Sequence, residues 1–327
     1  GIVGEKKETA LHFYQTQAAE CSSTRADNCP GLQTFRRLPL RASGHFVLHP
    51  AMSTPAHADL HAHTHCSDGT LAPTALVQRA AERGVAVLAV TDHDTVAGLE
   101  AAREAASGHA LQFVEGVELS VEAEGRGIHL LGYGFHPEHP ALTHYLSSFA
   151  ERRRERFDQM VARLSEIGVE VAPDIVRRHV GESAAPGRPH LARALVEAGH
   201  VERYKEAFAQ YLGREQPGYV PAPTQPAADA IEALHAAGGV AVLAHPGQWM
   251  PDKVLKKLRE QGLDGIECVC PSHPDYLVDY YLRICRAHNL RATGGTDYHG
   301  GADTDTREPG DLGLTEAQWE RLRDSVL

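Results

Sequence analysis

The chain has 327 residues, of which 42% are hydrophobic and 23% charged, and its net charge is −11 with the histidines neutral. This composition is ordinary for a soluble globular protein, and the acidic balance argues against coating a long nucleic-acid duplex or an anionic membrane, both of which need a basic surface. No apolar run approaches the ~18 residues of a membrane span. We therefore expect a cytoplasmic protein, and we expect its six cysteines to be reduced thiols.

Residues 1–51 differ from the rest because they show no sustained hydrophobic period. The stretch MSTPAHADLHAH begins at Met52, only seven residues before the first histidine-rich motif. We interpret residues 1–51 as a non-native leader or upstream sequence and exclude them from the fold argument.

From residue 57 onward, short apolar runs alternate with helical stretches. HADLHAH (57–63) and AVLAVTDHD (86–94) have the character of strands, and LAPTALVQRAAERGV (71–85) predicts a helix that Gly84 ends. LQFVEGVELSVEA and IHLLGYGF predict two strands joined by a turn. GGVAVLAHPG, GLDGIECVC and LRATGGTDYHG follow as strands, with helices at about 251–261, 274–288 and 315–326.

The strand pattern stops between residues 137 and 230, where ALTHYLSSFAERRRERFDQMVARLSEIGV and RPHLARALVEAGH are amphipathic helices. We predict a helical insertion at 137–230 that divides a barrel into a first part, 52–136, and a second part, 231–327. We interpret the run ERRRER at 151–156 as a solvated helix face, with phosphate steering as the alternative.

Strands that alternate with helices predict a parallel sheet, and about seven such strands suggest closure into a barrel. Polar clusters stand where these strands end, and in a parallel barrel all those ends share one face, so the clusters should converge. Residues i and i+2 of a strand point the same way, which pairs His61 with His63 and Asp297 with His299. A single such histidine is more often a hydrogen-bonded core residue, but five clusters at strand ends predict a multi-metal site. Imidazole and oxygen donors suit Mn²⁺, Fe²⁺ or Zn²⁺.

The motifs DLHAHTHCSDG, AVTDHDT, GVELS, IHLLGYG, RPHLARAL, VLAHPG and GGTDYHG, in this order, resemble those of the PHP (polymerase and histidinol phosphatase) domain family. The resemblance is greatest to its branch of 3′,5′-nucleotide bisphosphate phosphatases and 5′–3′ oligoribonucleases. It implies a distorted (β/α)7 barrel with an inserted helical cap subdomain. It also implies two to three divalent metal ions, with Mn²⁺ favoured and Fe²⁺ or Zn²⁺ as alternatives.

The resemblance also implies the metal ligands, because nine positions match the family's motifs. Asp68 stands where other branches have a third histidine. The implied ligands are His61, His63, Asp68, His93, Glu118, His129, His245, Asp297 and His299.

Three further residues are candidates for contact with substrate. Arg188 is the strongest, since a guanidinium grips phosphate oxygens bidentately, although a surface or ion-paired arginine is the alternative. His190 follows it by two residues, and we predict catalytic roles for both, together with a metal-bound water. His136 is a weaker substrate-binding candidate. His65 should point away from His61 and His63 if the strand continues.

We expect a metal-dependent phosphoesterase in which the ions bind a phosphate and lower the pKa of a bridging water. By resemblance, the substrate is a small nucleotide or short oligonucleotide: a 3′,5′-bisphosphonucleotide (pAp-like) that loses its 3′-phosphate, or a short RNA trimmed from its 5′ end. Histidinol-phosphate phosphatase is an alternative that Asp68 and the long insertion argue against. A non-catalytic metal-binding accessory module is a second alternative, which the nearly complete ligand set disfavours.

Overall fold

The structure is a computed structural model that describes residues 55–181, 186–248, 250–301 and 306–326. The predicted leader, residues 1–51, lies outside the described residues.

The strands of the described chain form a nearly closed barrel. Along the sheet their order is β1-β2-β3-β4-β6-β7-β8, and β5 pairs with β3. The two ends of this path approach each other through a bridge between Ala62 and Tyr298 and a hydrogen bond from the Leu60 amide to the Gly294 carbonyl, 3.1 Å. The predicted seven-stranded α/β barrel is therefore confirmed. The strands are β1 Ala58–Asp59, β2 Val87–Val90, β3 Gln112–Ala123, β4 Arg126–Tyr133, β5 Gln225–Pro226, β6 Val240–Leu243, β7 Gly265–Val269 and β8 Arg291–Gly294.

One strand breaks the parallel order expected from the alternation of strands and helices. β4 runs antiparallel to both β3 and β6. The cause is local: Ala123 and Arg126 pair across a two-residue turn in which Glu124 and Gly125 have φ of +54° and +74°. Two left-handed residues in a two-residue loop are typical of the type I′ turn that joins a tight hairpin.

Helices flank the barrel where the apolar periodicity predicts them. Pro73 is the first residue of α1, a position whose backbone N–H has no partner within the helix, so proline loses no hydrogen bond there. Gly84 follows the helix with φ +84°. The helices are α1 Pro73–Glu82, α2 Leu99–Ala106, α3 Pro140–Glu166, α4 Pro173–Val180, α5 Arg188–Glu197, α6 Tyr204–Ala207 with a π-helical turn Phe208–Leu212, α7 Ala227–Ala236, α8 Asp252–Glu260, α9 Asp275–His288 and α10 Glu316–Leu322.

The segment between β4 and β5, here called the cap, has a hydrophobic core of its own. Phe157, Met160, Leu191 and Leu212 are buried there against one another. The barrel core is a separate cluster that includes Leu60, Val114, Leu131 and Trp319. Two cores agree with a helical unit inserted into a barrel, and the cap helices lie within the predicted range 137–230.

The arginine-rich run on α3 differs from the expectation of a solvated face. Arg152 and Arg154 are exposed, whereas Arg153 is half-buried and Arg156 is buried. Residues three apart lie on one side of a helix, so this pair faces inward. The Arg156 Nε donates to the Val220 carbonyl at 2.9 Å. The solvated interpretation is therefore wrong for Arg153 and Arg156.

Two smaller expectations also concern the described chain. None of its helices combines the length and apolar character needed to cross a membrane. Of its four cysteines, Cys268, Cys270 and Cys285 are buried free thiols.

Candidate metal centre

The structure brings all nine predicted ligands together at one end of the barrel. His61 and His63 follow β1, and His93 follows β2 and bridges to Glu118 of β3. The remaining ligands come from the loop after β1, from β4 and from the loops after β6 and β8. Each of these loops begins at the carboxyl end of a parallel strand, which is the face where barrels collect functional groups.

The ligand atoms form three overlapping groups, and within each group they all lie within 4.8 Å of one another. His63 belongs to two groups, and so do His93 and Glu118. The groups are His63, Asp68, His93 and His299; His61, His63, Glu118 and Asp297; and His93, Glu118 and His129. Shared members are what a cluster of two or three neighbouring ions requires.

Glu118 lies at the centre of the cluster and is fully buried. Its Oε2 is 3.4 Å from His61 Nε2, 3.2 Å from His63 Nε2 and 3.1 Å from His93 Nδ1. Its Oε1 is 2.9 Å from His129 Nδ1 and 2.8 Å from His245 Nε2. One carboxylate thus contacts five imidazoles, including His245, which is outside the three groups.

Several buried polar atoms of this cluster have no hydrogen-bond partner among the described residues. Glu118 Oε2 and the Nδ1 atoms of His63 and His93 are buried and make no hydrogen bond within the described residues. Buried polar atoms nearly always have partners. Lone pairs that converge without donors fit cation ligation, and the set has only imidazole and carboxylate donors, which suits Mn²⁺, Fe²⁺ or Zn²⁺.

The charges of the cluster reinforce one another. Burial by itself raises the pKa of Glu118, but His93, His129 and His61 outweigh it and hold that pKa well below its usual range. Burial likewise lowers the pKa of His63, and the neighbouring carboxylates outweigh it and raise the pKa to about 10. Glu118 is therefore an ionised acceptor, as a metal ligand must be.

Glu267 on β7 holds two of the histidines in place. Its Oε1 lies 2.9 Å from His61 Nδ1, and its Oε2 accepts a hydrogen bond from the His245 backbone amide at 2.8 Å. Glu267 is fully buried. A carboxylate on the outer nitrogen of a ligating histidine fixes the ring and its tautomer.

Two buried aspartates organise the loops that carry ligands. Asp92 accepts hydrogen bonds from the Thr64 amide (2.8 Å), the Thr64 hydroxyl (2.6 Å) and the Ser67 hydroxyl (2.6 Å). Asp59 accepts from the Thr296 amide (2.9 Å) and hydroxyl (2.7 Å), and burial raises its pKa to about 6. These bonds tie the loop before Asp68 and the loop before Asp297 to the barrel.

The backbone at the cluster is strained at two ligands. His245 has φ +23° and Asp297 has φ +51°. Non-glycine residues rarely adopt positive φ, and they do so where the surrounding structure imposes it, often at functional sites.

The cap reaches the cluster through α5. His190 is buried, its Nδ1 accepts a hydrogen bond from the Gly187 amide at 3.1 Å, and its ring also bonds to the backbone of Ser67. Burial lowers the pKa of His190 to about 4. Arg193 donates to the Asp68 carbonyl at 2.8 Å. Because His190 has backbone partners on both sides, its contacts suit a residue that positions α5 better than one that transfers protons.

Arg188 lies within the cap and does not contact the metal cluster directly. Its guanidinium carbon is 5.8 Å from the ring centre of Phe208 and 5.7 Å from that of Tyr219. Arg188 and Asp68 both act electrostatically on Tyr204, whose pKa burial raises to about 12. Arg188 and Asp68 are thus both near Tyr204.

Two other histidines lie apart from the cluster. His65 is exposed, as its position in the alternation predicts. The predicted substrate residue His136 is also exposed, and its amide bonds to the Ala237 carbonyl just before β6. That is the opposite end of β4 from His129, so the structure does not bring His136 to the cluster.

Sequence reasoning missed Glu267, Arg153 and Asp94. Glu267 had a usable signal, because a charged residue inside the buried strand GIECV needs a partner. Arg153 pairs with Asp94, and nothing in ERRRER distinguishes it from its exposed neighbours.

Comparison with known proteins agrees with this geometry. The family model of the PHP domain matches residues 59–214. The chain is 37% identical to a 3′,5′-nucleoside bisphosphate phosphatase of Chromobacterium violaceum, over 83% of this chain and 98% of that protein. It is 39% identical to the 5′-3′ exoribonuclease Rnm of Escherichia coli, over 74% of this chain and 84% of that protein.

A solved structure has the same fold. A candidate metal-dependent phosphoesterase from Bifidobacterium adolescentis superposes with a TM-score of 0.77 at 31% identity, covering 84% of this chain and 98% of the other. Identity at this level over nearly whole chains, together with the ligand cluster, shows that the chain belongs to the PHP domain family.

Proposed function

We propose that this protein is a metal-dependent phosphoesterase that removes the 3′-phosphate of nucleoside 3′,5′-bisphosphates and trims short RNA from the 5′ end. The observation that carries the proposal is the convergence of nine imidazole and carboxylate ligands around Glu118. The names of the relatives from C. violaceum and E. coli support the two substrates. Both reactions attack a phosphate that follows a 5′-phosphorylated nucleoside, so one site can perform both.

The three ligand groups would hold two or three divalent ions, with Mn²⁺ favoured. When bound, such ions supply Lewis acidity and a lowered pKa for water at the site. Glu267, Asp92 and Asp59 keep the ligands oriented, as their hydrogen bonds indicate.

Arg188 would bind the phosphate that is not cleaved. It lies on the same helix, α5, as His190 and Arg193, and it adds positive charge in a chain of net charge −11. A bidentate guanidinium contact with phosphate is strong and directional. His190 would act by holding α5 against the loop that carries Asp68.

The test is Mn²⁺-dependent phosphate release from adenosine 3′,5′-bisphosphate, histidinol phosphate and p-nitrophenyl phosphate, beside cleavage of a 5′-phosphorylated tetraribonucleotide. We expect the bisphosphate and the RNA to be the best substrates and Asp297→Asn to abolish both reactions. Preference for histidinol phosphate would support the first alternative. Metal binding without hydrolysis of any substrate would support the accessory module.

A further inference from the structure

A cavity of about 210 Å³ opens beside the metal cluster, between the start of β4 and the loop after β6. Two predicted ligands, His129 and His245, are part of its wall. Their ring nitrogens also contact Glu118 Oε1, at 2.9 and 2.8 Å. A group in this cavity is therefore next to any phosphate held by the cluster.

The rest of the wall is apolar with one cationic side chain. Ile128, Pro246 and Met250 supply the apolar part, and Arg126 lies at the exposed end. Methionine sulfur and aliphatic carbon pack well against an aromatic ring. An arginine beside such a surface favours an anion or a ring face.

The cavity lies on the other side of the β3–β4 hairpin from the cap. The outer half of β3 pairs with β5, through which the cap returns to the barrel. β4 instead pairs with β6, and the Ala244 amide bonds to the His129 carbonyl at 3.1 Å. The strand through which the cap returns and the strand beside the cavity therefore pair with opposite strands of the hairpin.

From this arrangement we propose that the cavity is a subsite for the nucleoside on the 3′ side of the scissile phosphate, the second nucleoside of a short RNA. Water adds to the phosphorus and the bond to the 3′-oxygen of the first nucleoside breaks, so the first nucleotide leaves and the second nucleoside keeps the phosphate. The inference rests on the proposed function and deepens it. With the 5′-phosphorylated nucleoside on the cap side, a chain that continues beyond the metals would pass His129 and His245 into this cavity. The volume is below the ~300 Å³ at which drug-sized ligand pockets begin, so it suits one base and its sugar.

A bisphosphonucleotide has no nucleoside on the 3′ side of its scissile phosphate, because that phosphate is terminal. The two substrates should therefore differ in their dependence on the cavity. Monoester hydrolysis should not use it, whereas diester hydrolysis should use the stacking surface of Met250 and Ile128.

Gly127 offers a way to fill the cavity. It lines the cavity, and a Cβ atom built on it meets no atom within 4 Å. We expect Gly127→Phe to reduce kcat/KM for the dinucleotide pApA by about 10-fold or more, the scale of one lost base-stacking contact. Its kcat/KM for adenosine 3′,5′-bisphosphate should stay within about twofold. Glu104→Phe, at an exposed site on α2, is the matched control and should change neither value.

A second variant keeps the inference testable if Gly127→Phe does not fold. Met250→Ala removes part of the apolar wall and should give the same selective loss. Equal losses on both substrates, or no loss on pApA with either variant, would overturn the inference.

A binding measurement separates this inference from the proposed function. Calorimetry on the Mn²⁺-loaded protein would use a pApA analogue with a methylene group in place of the scissile bridging oxygen. If the wild type hydrolysed neither substrate, the proposed function would be wrong. The subsite would then be tested by binding alone: Gly127→Phe should weaken binding of this analogue and leave the affinity for the bisphosphate unchanged. If the wild type and Gly127→Phe bound the analogue with equal affinity, the proposed subsite would be wrong.

Discussion

Arg153 of the cap helix α3 donates a charged hydrogen bond to Asp94, the residue that follows His93. Asp94 also accepts hydrogen bonds from the Ser120 amide at 2.7 Å and the Ser120 hydroxyl at 2.8 Å, next to Glu118 in β3. The Asp94 backbone has φ +52°. One ion pair therefore joins the cap to the two barrel segments that carry His93 and Glu118.

Removing either partner of this ion pair should destabilise the protein, and the two losses should not add. The Asp94 and Arg153 side chains are 1% and 13% exposed, so a single change leaves a buried charge without its partner. We expect Arg153→Met or Asp94→Asn to cost about 3–5 kcal/mol of unfolding free energy, and the double variant to cost less than the sum. Urea denaturation measures this cycle. Arg154→Met, one residue along and exposed, should stay within about 0.5 kcal/mol of wild type.

The second prediction concerns the central carboxylate. Glu118→Gln keeps the shape but removes the negative charge that faces five histidines. We expect loss of at least one bound ion and a fall in kcat of about 100-fold or more, since even residues that only orient ligands give 10–100-fold effects. Metal analysis after dialysis and steady-state kinetics measure both. Glu122→Gln, exposed four residues along the same strand, is the control. Full metal content with unchanged kcat would remove Glu118 from the ligand set.

Glu267 should act on the metals without touching them. Glu267→Gln weakens the contacts to the His61 ring and the His245 amide, so we expect metal affinity to fall about 10- to 100-fold. The measurement is Mn²⁺ titration by calorimetry, with the exposed Glu260→Gln as control. Unaltered affinity would mean that the two histidines are held by the rest of the barrel.

Gly69 tests how tightly the first ligand loop is folded. A Cβ atom there would lie 2.4 Å from the His63 carbonyl oxygen, a backbone atom that cannot move without displacing a ligand. We expect Gly69→Ala to cost about 1–3 kcal/mol, the range for overpacked sites. Gly108→Ala, where the nearest atom is 3.5 Å from the added Cβ, should be nearly neutral. Thermal unfolding of the two variants would show the difference.

The alternation of residues in strands explains why so much of the cluster could be predicted. His61 and His63 share a face because the strand period is two, and the barrel brings strand ends together whatever the loops contain. Period and strand ends alone predicted only a multi-metal site, and the set of nine ligands was implied by the resemblance to the PHP motifs. A turn between β3 and β4 was also predicted, at GRG (125–127), because glycine marks a turn between two apolar runs. The structure places it slightly earlier, at Glu124–Gly125, and Arg126 and Gly127 belong to β4.

The errors concern the positions of elements relative to one another. Which of the arginines on α3 faces Asp94 depends on how that helix is rotated against the barrel, and the local pattern carries no such information. His136 failed for a related reason: β4 is antiparallel, so its last residues lie at the end of the barrel away from the cluster. A parallel strand would have placed them at the other end.

The last prediction concerns Arg188, which packs against the rings of Phe208 and Tyr219 rather than against a carboxylate. If it binds the phosphate that is not cleaved, Arg188→Ala should mainly impair substrates with two phosphates. The loss for a charge-assisted bidentate contact is about 2–4 kcal/mol, or roughly 30- to 1000-fold in kcat/KM.

The comparison substrate is adenosine 3′-monophosphate, whose single phosphate would lie at the metals. Arg188→Ala should therefore lower kcat/KM less for this substrate than for the bisphosphate. Arg188→Lys should restore part of the activity on the bisphosphate, because an ammonium group is a point donor and lacks the planar fork of a guanidinium. The measurement is kcat/KM for both substrates with the wild type and both variants at one Mn²⁺ concentration. Equal losses on the two substrates would place Arg188 at the reacting phosphate. No loss on either would mean that its stacking on Phe208 and Tyr219 serves only to pack the cap.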